Sequence, residues 1–405
     1  MGKIGAAPDY TVDEAWLDRV QQVVDWSIEE GFYVIINMHH DGSDDDYAWL
    51  DCTASNQTEI TAKYAAVWEQ IAEKFKDYDE HLIFESFNEV GDGRWSGVEN
   101  PTHYDNLNNY NQTFVDTVRS TGGNNGSRWL LVPGWYNNIE QTTGDYGFEI
   151  PTDELCTSDE NRIMISAHYY DPYNFCLNED ESVSWYETEW GTDEEKAQVV
   201  SDLSKLYDAF ISQGYPVILG EYGCIDKDNE ATRAEYLAYV ASTAVDLGMV
   251  PIYWDNGYNG HHGFGLFDRN TCEVTEPQLL NAIIQAAPPQ ENPPAEDSSS
   301  ESTEDSSSQP VEDSSSQPAE DSSSETVEDS SSETVDDTSS TADSDVEADS
   351  SETSAPESAV TSASDSTESN ADNSPDTGSS NALAATTALI LISAAGLAAV
   401  KSKKE

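Results

Sequence analysis

Basic residues are scarce in this sequence of 405 residues. Lysine and arginine together number 17, against 79 aspartate and glutamate residues, which gives a formal net charge of −62 at pH 7. A protein that binds nucleic acid by neutralising phosphates needs a cationic surface. The composition therefore excludes a nucleic-acid partner of that kind.

No glycine-rich phosphate-binding loop follows the first predicted strand, which weakens a nucleotide-binding function.

Cysteines are also few. They have no spacing typical of a zinc site, and their odd number leaves at least one outside any internal disulfide. A bridge between the second and third along the chain is one option. We expect no cofactor and no metal ion. The cysteines are Cys52, Cys156, Cys176, Cys224 and Cys272.

Aromatic residues are absent from the C-terminal part, residues 291–405. Residues 291–405 contain 27 acidic and 3 basic residues, and a chain of this composition cannot bury a core. An octad that begins Glu-Asp-Ser-Ser-Ser starts at position 296 and recurs at 304, 312, 320 and 328. Because like charges repel and no face is apolar, we predict a disordered acidic linker over 288–373. A calcium-binding repeat is the alternative, but the octad lacks a glycine turn to fold carboxylates round an ion.

The linker ends at Ser-Pro-Asp-Thr-Gly, and a charge-free apolar run over 382–400 and a basic tail follow it. The run is long enough to cross a bilayer as a helix, with its basic tail in the cytoplasm. This order resembles the LPxTG sorting signals of Gram-positive cell walls, with Ser374 where leucine is usual. The resemblance implies cleavage between Thr377 and Gly378 by a sortase, attachment to peptidoglycan and an extracellular protein. The predicted sorting signal spans residues 374–405, and a plain membrane anchor is the alternative.

A secretory signal core is missing at the other end. Residues 1–30 contain no uninterrupted apolar run. Instead, Thr11 and Glu14 form a predicted capping box, and an amphipathic helix follows up to Gly31. Because a wall-sorted protein must first cross a membrane, we expect that the natural beginning of the protein is missing from this sequence.

Residues 1–287 contain six short apolar runs that alternate with helical patterns. Runs this continuous are typical of strands buried on both faces of a parallel sheet. The alternation predicts an α/β fold, either a barrel or a doubly wound sheet. The runs are Tyr33–Met38, Leu82–Phe87, Trp129–Val132, Ile163–Ala167, Val217–Leu219 and Val250–Trp254.

Almost every run is followed on its C-terminal side by residues capable of chemistry. In a β/α-barrel the active site lies at the carboxyl ends of the strands. Glu89 and Glu221 are the carboxylates placed directly at such ends, and a facing pair of carboxylates is what glycoside hydrolysis needs. Two structural acids that cap helices or pair with bases are the alternative. Tryptophan and tyrosine nearby suit the apolar faces of sugar rings, and amide and imidazole groups suit their hydroxyls.

The strand-end segments resemble those of glycoside hydrolase family 5, closest to its subfamily 4 endoglucanases. The segments are INMHHDG, IFESFNE, AHYYDP, ILGEYG and YWDNG, in that order along the chain. The resemblance covers about residues 5–287 and implies an eight-stranded TIM barrel whose first two strands, with the arginine of the second, are absent here. It also implies a retaining endo-β-1,4-glucanase acting on plant cell-wall β-glucan.

The resemblance assigns roles residue by residue. Glu89 is the expected acid/base and Glu221 the expected nucleophile. Asn88 is expected to hold the sugar 2-hydroxyl, and His168 and Tyr170 to orient Glu221. The other expected substrate-binding residues are His39, His40, Trp254 as a stacking floor and Trp135 on the aglycone side.

Other substrates remain open, because loop shape sets the subsites of such a scaffold. A xyloglucanase, mixed-linkage glucanase, mannanase or xylanase is the nearest alternative. A surface protein that binds carbohydrate without cleaving it is the alternative from another class. Membrane contact is expected only through the C-terminal segment.

Overall fold

The computed structural model describes residues 2–42 and 48–287, together with two residues of a short strand near the C-terminus. The chain divides into two units, one formed by residues 1–293 with 382–405 and the other by residues 294–381. The second unit lies wholly outside the described residues. So do Thr377 and Gly378 of the predicted sorting signal and the predicted linker over 288–373.

Six parallel strands form one curled sheet, in which each strand pairs with the next along the chain. Each of them overlaps one of the six apolar runs, and β3 continues six residues beyond its run, so the predicted α/β class is confirmed. Parallel neighbours need long crossover connections, and each of the five connections between these strands contains a helix. The strands are β1 (Val34–Asn37), β2 (Leu82–Glu85), β3 (Leu130–Asn138), β4 (Ile163–Tyr169), β5 (Val217–Tyr222) and β6 (Val250–Tyr253).

The helices cover the outer face of the sheet with amphipathic surfaces. In the second helix, Tyr64, Trp68 and Phe75 are fully buried and recur at the spacing that one helical face requires. The first helix begins at Glu14, but Asp13 and not Thr11 caps it by accepting from the Trp16 N–H at 2.8 Å. The helices are α1 (Glu14–Glu29), α2 (Gln57–Phe75), α3 (Pro101–Ser120), α4 (Ile139–Thr143), α5 (Tyr173–Cys176), α6 (Asp193–Ala209), α7 (Glu230–Asp246) and α8 (Pro277–Ala286).

The inner side of the curled sheet changes from apolar to polar along the strands. One apolar side chain from each strand contributes to an inner cluster: Ile35, Ile83, Leu131, Met164, Ile218 and Ile252. Side chains two positions further along a strand point to the same side, and there lie Asn37, Glu85 and Ser166. Asn37 Nδ2 donates to Glu85 Oε2 at 2.8 Å. The polar layer therefore lies towards the carboxyl ends of the strands, where a barrel carries its active site.

The edges of this sheet, within the described residues, are β6 and a short strand β9 (Leu389–Ile390), which runs antiparallel to β1. These two residues are extended, whereas the sequence predicts a membrane-spanning helix over 382–400, and the rest of that run is not described. No helix in the described part of the chain is long and apolar enough to cross a membrane. A separate antiparallel pair is formed by β7 (Phe267–Asp268) and β8 (Glu273–Val274). All five cysteines are free thiols, so the bridge considered above is not formed.

Candidate active site

Glu89, His168 and Glu221 come together at the carboxyl ends of the strands. One ring nitrogen or carboxylate oxygen from each lies within 4.8 Å of the others. His168 Nδ1 lies 2.8 Å from Glu89 Oε1 and 3.5 Å from Glu221 Oε2. The Glu89 side chain is 20% exposed and that of Glu221 only 7%. The two carboxylates therefore face each other across one imidazole, and Glu89 is the more open to solvent.

A bulge in the sheet puts Glu221 beside His168. Ala167 pairs with Leu219, but the next residue, His168, pairs with Glu221, so Gly220 is the extra residue of β5. A bulge of this kind re-aims the side chains that follow it. A side chain at position 220 would lie 3.2 Å from Ser166 Oγ and 3.5 Å from His168 Nε2. Glycine at this position therefore leaves room for the imidazole next to the carboxylate.

The carboxylates keep His168 protonated. Burial by itself lowers the pKa of His168, but the charges of Glu221, Glu89 and Glu85 outweigh it and raise the pKa to about 9. The imidazolium thus lies within ion-pair distance of both carboxylates. Glu85 contributes from the polar layer beneath, where burial raises its own pKa.

Burial also raises the pKa of Glu221, to about 7. The charge of His168 lowers the pKa of Glu221, whereas the negative charge of Glu89 raises it further. The Tyr170 hydroxyl donates to Glu221 Oε2 at 2.8 Å, and this hydrogen bond also lowers the pKa. Hydrogen bonds that stabilise the charged form lower a carboxyl pKa. Glu221 is thus a carboxyl that ionises near neutral pH, with Tyr170 and His168 as the two groups that favour its charged form.

Asn137 holds the backbone of Glu89 and was not found by sequence analysis. Glu89 has φ +47, a left-handed conformation that costs a non-glycine residue about 1–2 kcal/mol. Its backbone N–H donates to Asn137 Oδ1 at 2.9 Å, and Asn137 Nδ2 donates to Ser166 Oγ at 2.9 Å. Asn137 is fully buried. It follows the end of an apolar run, and that position was its only signal in the sequence.

Asn88 lies beside the pair with an unused acceptor. The side chain is 6% exposed, and its Oδ1 has no hydrogen-bond partner among the described residues. A buried amide oxygen without a partner costs free energy that a ligand donor recovers. The contact of Asn88 with a sugar hydroxyl stays a prediction.

His39 and Trp254 form a second, uncharged part of the site. The two rings stack with centroids 5.6 Å apart and planes at 8°, and His40 meets His39 edge-on at 4.8 Å. Burial first, and then the charges of His40 and His168, lower the pKa of His39 to about 3. Its Nδ1 has no partner in the described part of the chain. His39 is therefore neutral, and its contact with a sugar hydroxyl stays a prediction.

The predicted role of Trp135 does not fit its position. Its side chain is fully buried, and its indole N–H donates to the Ser96 carbonyl at 3.0 Å, so no ring face is open to a sugar. The exposed indole nearby is that of Trp95, which is 50% exposed and stacks on Tyr136 at 4.6 Å. Sequence analysis missed Trp95 because it follows no strand and lies in the loop after Glu89.

Two facing carboxylates at the carboxyl ends of parallel strands, beside amide, imidazole and indole groups, define a glycoside hydrolase on a β/α-barrel scaffold. The model of the family Cellulase, glycosyl hydrolase family 5, matches residues 1–260. The chain belongs to this family and is a glycoside hydrolase.

Relatives with known names agree with this assignment. Endoglucanase A of Paenibacillus barcinonensis is 49% identical over 302 residues, which cover 70% of this chain and 74% of the relative. The structure of a family 5 xyloglucanase from Paenibacillus pabuli matches with a TM-score of 0.67 at 48% identity, over 70% of this chain and 84% of that one. A family 5 lichenase from Caldicellulosiruptor sp. F32, solved as a mutant with cellotetraose, matches with a TM-score of 0.65 at 37% identity, over 70% and 77%.

Proposed function

We propose that this protein is a retaining, endo-acting β-1,4-glucanase. The observation that carries the proposal is the separation of the two carboxylates, whose oxygens lie within 4.8 Å of each other. Retaining glycosidases have carboxyl groups about 5–5.5 Å apart, whereas inverting enzymes need about 6.5–9.5 Å to admit a water molecule. The short separation supports a double displacement with a covalent intermediate.

In the first step, the Glu221 carboxylate attacks the anomeric carbon and the carboxyl of Glu89 protonates the departing glycosidic oxygen. Tyr170 holds Glu221 in place through its hydrogen bond. In the second step, Glu89 takes a proton from water, and the resulting hydroxide displaces Glu221 from the sugar. His168 contacts both carboxylates, so its positive charge balances the negative charge that moves from Glu221 to Glu89 between the steps.

The β-1,4-glucan backbone is the substrate element that the relatives share. The named relatives are an endoglucanase, a xyloglucanase and a lichenase, and the lichenase was solved with cellotetraose. A xyloglucan main chain and the β-1,4 segments of mixed-linkage glucan contain the same linkage. We therefore propose cleavage of β-1,4-linked glucose, and the xyloglucanase at 48% identity makes xyloglucan the second candidate substrate.

The full chain is expected to lower the viscosity of carboxymethylcellulose faster than it releases reducing ends, because internal cleavage shortens a polymer with few bonds broken. Xyloglucan, mixed-linkage glucan, mannan and xylan, assayed in parallel, rank the alternatives. Binding to these polymers without release of reducing ends would contradict an enzymatic function. Release of reducing ends without an early fall in viscosity would contradict internal cleavage.

We further propose that the C-terminal segment attaches the protein to a Gram-positive-type cell wall through a sortase. The support comes from the sequence alone, from the order of pentapeptide, apolar run and basic tail. In a host with a sortase, Thr377→Ala is expected to move the protein from the wall fraction to the membrane or medium, because alanine lacks the side chain by which a sortase would recognise the residue before the scissile bond. Thr361→Ala, in the acidic linker, is the matched control. Equal wall fractions for both variants would favour a plain membrane anchor.

A further inference from the structure

Two adjacent histidines, His261 and His262, meet a glutamate from another loop at the carboxyl-terminal rim of the sheet. His261 Nε2 lies 2.9 Å from Glu181 Oε1, and His262 Nε2 lies 3.9 Å from the same oxygen. Glu181 precedes the histidines by 80 residues, so only the fold brings these three groups together.

The backbone turns both imidazoles towards this one oxygen. Adjacent side chains on an extended chain point to opposite sides, but His262 has φ +64, and the two ring centroids are 4.0 Å apart. The His262 N–H donates to the Asp226 carbonyl at 2.7 Å, which anchors the turn. The pair is therefore held in a conformation that places both Nε2 atoms on one side.

The separations suit a divalent ion with imidazole and carboxylate ligands. Donor atoms 2.0–2.2 Å from a tetrahedral zinc ion lie about 3.3–3.6 Å from one another. The two nitrogen-to-oxygen distances, 2.9 and 3.9 Å, lie on either side of this range. Glu181 is 61% exposed, so its carboxylate is free to move by the few tenths of an ångström that equalise them. The three donor atoms all lie within 4.8 Å of each other.

A further carboxylate lies near the other ring nitrogen, Nδ1, of each histidine. Asp228 Oδ2 is 3.6 Å from His261 Nδ1, and Glu179 Oε2 is 4.0 Å from His262 Nδ1. A histidine that binds a metal usually donates its other N–H to a carboxylate, which fixes the tautomer and orients the ring. Each histidine thus has one nitrogen towards Glu181, and near the other an exposed acid that can accept its N–H after a small side-chain movement. The Tyr186 hydroxyl lies 3.5 Å from His262 Nε2, at the limit of a hydrogen bond.

We propose that Glu181, His261 and His262 form a zinc site that joins two loops of the active-site rim. Two imidazoles and one carboxylate are ligands that zinc takes, with water at the fourth position. Glu181 lies between α5 and α6, in the connection after β4, and the histidines lie in the loop after β6, which begins at Trp254. A bound ion therefore restrains the loop that follows the indole of the active site.

Zinc titration of the full chain, after treatment with chelator, tests the site. Excess Mg²⁺ in the buffer occupies the carboxylate-only sites of this acidic protein, since Mg²⁺ prefers oxygen ligands. Calorimetry is expected to show one tight equivalent of Zn²⁺, and Zn²⁺ is expected to raise the melting temperature by about 5 °C. Glu181→Gln and His262→Asn are each expected to weaken binding at least ~10-fold. Asparagine tolerates the left-handed backbone at position 262.

Two control variants locate the ion. His103→Gln removes a histidine elsewhere on the surface and is expected to keep the zinc response. Glu221→Gln alters the catalytic trio and is also expected to keep the zinc response. This result would distinguish zinc bound at the rim from zinc bound at the catalytic trio. Melting of each variant in chelator shows whether it is folded. Absence of tight zinc binding, unchanged binding in folded His262→Asn, or loss of binding in Glu221→Gln would each overturn the proposal.

Discussion

Replacing Glu221 by glutamine is expected to lower kcat on β-1,4-glucan by about 10⁴-fold or more, as removal of a catalytic nucleophile does in other hydrolases. Glutamine keeps the size of the side chain and accepts from Tyr170, but its amide cannot form the glycosyl ester. Initial rates on carboxymethylcellulose measure the loss. Glu273→Gln, an exposed glutamate in β8, is the matched control and is expected to keep full activity. Turnover within ten-fold of the parent would rule out Glu221 as the nucleophile.

The pH profile gives a second, independent measure of the same carboxylate. Because the nucleophile must be ionised and the pKa of Glu221 is raised to about 7, kcat/KM is expected to rise with pH through about 7 on its acidic side. Tyr170→Phe removes a donor to the charged form and is expected to move this limb to higher pH. Tyr222→Phe is the control, since that buried hydroxyl, on the same strand as Glu221, has no partner in the described region. An acidic limb that Tyr170→Phe leaves in place would contradict this assignment.

Replacing Glu89 by alanine is expected to lower kcat by about 10²–10⁴-fold on natural glucan, the usual contribution of a general acid or base. The loss in the first step is expected to be small on a dinitrophenyl glycoside, because such a leaving group departs without a proton. Azide is expected to restore turnover of that substrate, since a strong nucleophile needs no general base in the second step. Release of dinitrophenol with and without azide measures both effects.

The configuration of the azide product separates the two carboxylates. In Glu89→Ala, azide attacks the glycosyl-enzyme on the face that the leaving group vacated, so the glycosyl azide is expected to keep the β configuration. In Glu221→Ala, azide takes the place of the nucleophile, and the product is expected to be the α-azide. Nuclear magnetic resonance of the products distinguishes them. The opposite pattern would exchange the two roles, and identical products would refute the double displacement.

The strands and the approximate location of the site could be predicted from the sequence. Because each strand of a parallel sheet is buried on both faces, its sequence is a continuous apolar run, as in Val217–Leu219. The residues after each run lie at one edge of the sheet because all six strands point the same way. The sequence alone therefore predicts that Glu89, His168 and Glu221 lie in one cleft. The family resemblance supplied their individual roles.

What only the tertiary structure decided depends on contacts between distant residues and on unusual backbone angles. The bulge at Gly220 that aligns Glu221 with His168, and the hydrogen bond from the Glu89 N–H to Asn137, 48 residues away, leave no periodic trace in the sequence. Nothing in the sequence separates the two tryptophans Trp95 and Trp135 by burial, yet Trp135 is buried and Trp95 half exposed. Apolar periodicity encodes which face of an element is buried, whereas side-chain environment depends on what the rest of the chain packs against it.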